Sequence, residues 1–295
     1  MSYKYDPPLT ADQRIDLIRV RTARAHQHIQ DLDREIREFL NGEPYKVAIK
    51  PDPQFPHVPQ LRKHYLVSVR PMTTVIPLFA GEAIHNIRIA LDYLVNDLVD
   101  IGCTAQNITL SKTERRQIAF PIIDTDSPKE YQISRKRKVK GMMQAAIDAI
   151  DATKPYKGGN DLLWKLSQLN NIDKHRFLIT VGSQIASFNA PRWIRRGMAR
   201  HILEEKGVNV PPDVDLSQIL NFSIIPDDRK CPLNEGDELV AGFSEILDHD
   251  EKMRFTFDIV FYELGVAECE PILPLLMQFL NYVNDLILSF RRYLI

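Results

Sequence analysis

The chain has 295 residues, 44% of them hydrophobic, and a formal net charge of −1, which supplies a large core and excludes wholesale disorder. With no whole-molecule field to attract nucleic acid or an anionic membrane, any such surface has to be local. Its three cysteines, Cys103, Cys231 and Cys269, contain no C-x-x-C pair, so the pattern suggests neither a disulfide framework nor a zinc knuckle and fits a reducing cytoplasm.

The opening MSYKYDPPLTADQR has no charged start followed by an apolar run, so no signal peptide is expected. Thr10 is a candidate N-cap, and Ile15, Ile18, Thr22, Ala25, Ile29, Leu32, Ile36 and Phe39 recur at spacings of three and four. The spacing predicts a packing helix over 11–41, closed by Gly42. Its seam could equally pair with a second copy, which makes a homodimer an expected partner state. YKVAIK (45–50) and HYLVSVR (64–70) read as strands separated by a proline-studded loop.

A second long helix is predicted over 77–100, a third over 129–151 and a fourth beginning near Asn160. Between 177 and 265 the pattern turns to strands, FLITVGS, ILNFSII, ELVAGFSEIL and MRFTFDIVFY, the last two joined by the turn DHDE. A short amphipathic helix, WIRRGMARHILEEKG, interrupts them. The apolar stretch 272–290 carries Gln278, Asn281, Asn284 and Asp285, which marks it as a buried helix rather than a membrane span. The expected fold is α+β in a single domain: a helical bundle from 9–42, 76–176 and 270–295, with antiparallel β-rich parts at 44–70 and 177–265.

The second helix is the chemically distinctive one. Ile84, Ile87, Leu91, Leu94, Val95 and Leu98 form a broad apolar face, and Ile89 and Tyr93 lie nearly opposite. Between them His85, Arg88, Asp92 and Asn96 follow a narrow stripe, joined by Glu82 and Asn86, without a lysine. In NDLLWKLSQLNNIDKHRF the leucine stripe Leu162, Leu166, Leu169 continues to Asp173, a carboxylate where the pattern calls for an apolar residue. Buried charges need partners, so Asp173 is expected to meet Arg88, with Asp92, His85 and Arg176 completing the network and Lys174 and His175 turned elsewhere. Catalytic candidates are His85, Arg88, Asp92, Asp173 and His175; binding candidates are Glu82, Asn86, Lys174 and Arg176. A structural role, fixing helix register, is the first reading of such a network.

GEAIHNIRIALDYL (81–94), together with FPI (120–122), KPY (154–156) and LWKLSQLNNIDKHR (163–176), resembles a family of uncharacterised bacterial proteins that share an HN-x-R-x-A-L-D-H-L helix and a later D-K-H-R. The likeness covers most of 75–180. Some members also resemble, faintly, the higher eukaryotes and prokaryotes nucleotide-binding (HEPN) bundles, many of them ribonucleases. That resemblance implies a phosphate-steadying role for Arg88 and an acid or base histidine. Here the matching position is Tyr93, so His85 or His175 would have to take its place.

No cofactor or metal is expected. One Glu-x-x-His step, Glu82 to His85, lacks the second that a di-iron bundle needs, and His26 and His28 point apart. Neither H-E-x-x-H, G-x-S-x-G, a P-loop nor G-x-G-x-x-G occurs. The basic run RKRKVK (135–140), with Arg192, Arg195 and Arg196 beside Trp193, could touch phosphates, but a solvated helix end is the plainer reading. The three open classes are a binding or scaffold protein, a HEPN-like nucleic-acid-binding protein or ribonuclease, and an unrecognised hydrolase.

Overall fold

The computed structural model describes residues 9–58, 61–176, 178–190, 192–211, 214, 216–217, 219–227, 229–240, 245–246 and 253–295. The fold is α+β, with eight α-helices and two antiparallel sheets among the described residues. The chain divides into two compact units. The first is Met1–Arg37, Thr73–Thr180 and Glu263–Ile295; the second is Glu38–Met72 and Val181–Tyr262. These seams run close to the bundle and β-rich boundaries expected within one domain.

The first unit is built on four helices: α1 (Ala11–Asn41), α2 (Val75–Gln106), α6 (Asp161–His175) and α8 (Ile272–Ser289). Thr10 opens α1 reciprocally with Gln13: its hydroxyl accepts from the Gln13 amide at 3.3 Å, and its own amide donates to Gln13 Oε1 at 2.9 Å. The eight seam residues of α1 are all buried within the chain, so the seam is spent internally and gives a homodimer no further support. Side-chain hydrogen bonds run Arg14 to Asp97 and Arg21 to Asn86 and Tyr93, and His28 stands near Glu82; rising numbers on α1 meet falling numbers on α2, which fixes an antiparallel pair. α8 is long and apolar enough to cross a membrane, but Ile272, Leu276, Phe279 and Val283 are buried in the bundle. Each such side chain contributes roughly 1.5–3 kcal/mol of transfer free energy.

The expected single helix at 129–151 is two, α4 (Pro128–Lys138) and α5 (Gln144–Ala152). Gly141 breaks it at φ 88°, a left-handed position that disfavours any side chain. There the chain passes so close to Gly102 of α2 that an added Cβ would lie 2.9 Å from the Met143 amide nitrogen and nearer still to the Gly141 carbonyl. A four-residue helix, α3 (Lys112–Arg115), which the periodicity does not reveal, starts at a capping box formed by Ser111 and Glu114.

In the second unit β1 (Tyr45–Pro51) pairs antiparallel with β2 (Leu61–Val69), and β2 with β5 (Glu245–Ile246). β3 (Val181–Asn189) pairs with β4 (Ser223–Ile224) and β6 (Phe255–Glu263). The amphipathic segment forms α7 (Arg192–Glu205), ended near Gly207 at φ 75°. A short strand, β7 (Ala267–Pro271), leads into α8. The DHDE turn lies outside the described residues. Cys103 is a free buried thiol.

Candidate functional site

The polar residues of α2 divide into two groups about two helical turns apart. In the first, Arg88 Nη1 donates to Asp92 Oδ1 at 2.5 Å, and Nη2 donates to the Phe120 carbonyl at 2.9 Å. The Phe120 amide donates to the same Asp92 oxygen at 2.8 Å. One ion pair therefore meets both backbone groups of Phe120, a fully buried residue outside any helix or strand, whose carbonyl also accepts from the Ile122 amide at 2.9 Å. Backbone groups in such a position carry a desolvation cost of about 1–3 kcal/mol each if left unpaired. Next along the chain, the Ala119 amide donates to the Lys138 carbonyl at 3.2 Å, tying the segment to the end of α4. Burial, and then the charge of Arg88, lowers the pKa of the Lys138 ammonium.

The second group surrounds Gly81. A Cβ there would meet Asp173 Cγ at 2.8 Å and its Oδ1 more closely, so the carboxylate rests against α2 at the gap left by the missing side chain. One turn on, His85 Nδ1 and Asn170 Oδ1 are hydrogen-bonded at 3.2 Å. Asn170 is itself buried. On the α1 side, His28 Nε2 stands 3.9 Å from Glu82 Oε2, and the buried His28 Nδ1 has no hydrogen-bond partner.

These positions correct the expected network. Asp173 does not pair with Arg88. The contacts 85 with 170 and 81 with 173 set an antiparallel register in which Asp173 faces Gly81, seven residues or about 10 Å of helix from Arg88. Arg176 turns instead to Glu263, with Nη1 at 3.0 Å from Oε2. Asn86 supports the α1–α2 contact, donating to the Glu82 carbonyl at 2.8 Å and accepting from Arg21. Lys174 and His175 are exposed at the end of α6, turned away as expected. Sequence reasoning missed His28 and Gly81. A glycine inside a long helix, four residues before a polar stripe residue, was the available signal of close approach.

Burial raises the pKa of Asp173; Glu82 raises it further, while His85 and Lys174 oppose the shift. His28 moves the other way, lowered first by burial and then by Arg24, against Glu82 and Asp31. A carboxyl with a raised folded-state pKa contributes stability that is present in acid and lost as pH rises through that pKa. Asp173→Asn is therefore expected to raise the melting temperature at neutral pH and to lose that advantage as pH falls toward 3.8, the ordinary aspartate value. Melting curves across that range check it; destabilisation by the variant at neutral pH would contradict it. This reverses the large loss that pairing with Arg88 would have implied.

Among the described residues no group of three or more His, Cys, Asp and Glu side chains is arranged to hold a metal ion. Comparison with protein-family models, with curated proteins and with solved structures finds no match.

Proposed function

We propose that this is a binding or scaffold protein in which the Arg88–Asp92 network is structural, holding the segment around Phe120 and, through it, the end of α4. The observation that carries this reading is the pairing of Arg88 and Asp92 with both backbone groups of Phe120. An arginine that steadies a substrate phosphate has to present its fork to solvent, whereas the Arg88 side chain is 9% exposed. Tyr93, at the position of the expected ribonuclease histidine, accepts from Arg21 at 2.8 Å, which makes it a contact of α1.

A hydrolase is the second reading, and one observation favours it: His85, hydrogen-bonded to Asn170, interacts electrostatically with the Asp173 carboxyl. The test incubates the purified protein with mixed RNA, beside His85→Ala and Arg88→Ala variants whose fold is checked by circular dichroism. The expected result is intact RNA. Cleavage lost in a folded His85→Ala variant would replace the scaffold reading with the hydrolytic one. Cleavage lost in a folded Arg88→Ala variant would reinstate the HEPN-like ribonuclease.

A further inference from the structure

The fold brings together two basic segments that stand about 20 residues apart in the chain. Lys140 forms an ion pair with Glu114, and the Ala119 amide bonds the Lys138 carbonyl; together these contacts lay α3 beside the C-terminal turn of α4. Residues 112–116 and 135–140 contribute Lys112, Arg115, Arg116, Arg135, Lys136, Arg137, Lys138 and Lys140 against a single carboxylate, Glu114. Asp100 pairs with Arg115, and Asp151 with Arg135. Setting these three acids against the eight cations leaves a surplus of five positive charges, on a chain whose net charge is −1. Lys112, Arg116, Lys136 and Arg137 are exposed and make no ion pair among the described residues.

The plainer account is that basic residues complement the carboxyl end of α4. A helix dipole is answered by a cation or two in its last turn; it does not account for Lys112 and Arg116 on the neighbouring helix, nor for packing like charges together, which costs energy. A surface that concentrates unpaired cations in this way is complementary to a polyanion. We infer that the α3–α4 face docks the phosphate backbone of a nucleic acid. Arg116 and Arg137 offer guanidinium forks suited to phosphate oxygens, and Lys112 and Lys136 add point charges. An anionic membrane fits less well, because Ile133 is the only large apolar side chain exposed on α4, whereas an interfacial helix needs a continuous apolar face. Within α7, Arg195 is buried and donates to the Ser217 carbonyl at 3.0 Å, and Arg200 donates to the Val210 carbonyl at 2.8 Å.

The inference rests on the structural reading of the Arg88 network, which holds Phe120 and hence this face. Its test alters surface residues only, so the two can fail separately. Fluorescence anisotropy of a labelled mixed-sequence single-stranded RNA is followed with the full-length protein, the triple variant Arg116→Gln/Lys136→Gln/Arg137→Gln, and a control that removes the exposed α1 cations, Arg19→Gln/Arg34→Gln/Arg37→Gln. With four or five phosphates engaged, the logarithmic salt slope is about −3, so raising salt from about 50 to about 200 mM should weaken binding roughly 60-fold. The triple variant should lose about 2 from that slope, while the control keeps it. Single-stranded and duplex DNA, run in parallel, separate backbone recognition from a preference for ribose. Absence of binding at low salt, equal losses in the triple variant and the control, or binding to phosphatidylserine vesicles that RNA does not displace would each overturn the proposal.

Discussion

Arg88→Met is expected to cost about 3 kcal/mol of stability, the scale for breaking a buried ion pair by removing one member. The substitution keeps an apolar stem and deletes only the guanidinium, so packing loss is small. It leaves Asp92 without its cation and takes from the Phe120 carbonyl one of its two donors, the other being the Ile122 amide. Asp92 is the partner better able to tolerate the change, since its side chain is 31% exposed and can recruit water. The Phe120 carbonyl keeps the Ile122 amide as a donor but loses its charge-assisted bond, which adds to the loss. Arg88→Lys should recover little, because a single ammonium cannot reproduce the fork that spans Asp92 and Phe120. Denaturant unfolding measures the total. Hydrogen exchange then locates it: the Phe120 amide should exchange much faster in Asp92→Ala, while amides in the core of α8 remain protected. A loss below about 1 kcal/mol, on the scale of an exposed pair, would show that the network does not hold this segment.

What was legible in the sequence follows from which forces act locally. The seam of α1 could be read because burial on one helical face imposes its own period, and every seam residue from Ile15 to Phe39 is buried. Asp173 was recognisable as a misplaced carboxylate for the same reason. Its partner was not, because one helix's periodicity says which face is buried but not how far a neighbour slides along it. Two turns of register separate the expected contact with Arg88 from the observed contact with Gly81. Asp92 was legible as a partner of Arg88, but the other was hidden more deeply, since backbone groups such as those of Phe120 leave no mark on residue type. The break between α4 and α5 had a local signal in Gly141, at φ 88°, which helical periodicity on either side outweighed. α3 is too short for any period, and only the Ser111 and Glu114 pair of its capping box could have announced it.

Gly81→Ala offers a test of the second polar group in which the sign of the effect depends on another residue. Alanine in a helix interior is favoured over glycine by about 1 kcal/mol, so an unconstrained site would gain from the change. Here the new methyl would stand 2.8 Å from Asp173 Cγ, and the carboxylate has to leave the gap. Displacing it disturbs its approach to His85 and Glu82. Overpacking of this kind costs about 1–3 kcal/mol, so Gly81→Ala alone should destabilise. With Asp173→Ala in the background the obstacle is gone, and the same substitution should become neutral or stabilising, giving a coupling of about 2 kcal/mol. Gly102→Ala supplies the contrast, because its Cβ would meet backbone of the Gly141–Met143 link and no side-chain deletion can make room. Denaturant unfolding of the two single variants and the double variant completes the cycle. If Gly81→Ala is equally harmful with and without Asp173, the carboxylate does not occupy the gap, and the site that includes His85 loses its acidic member.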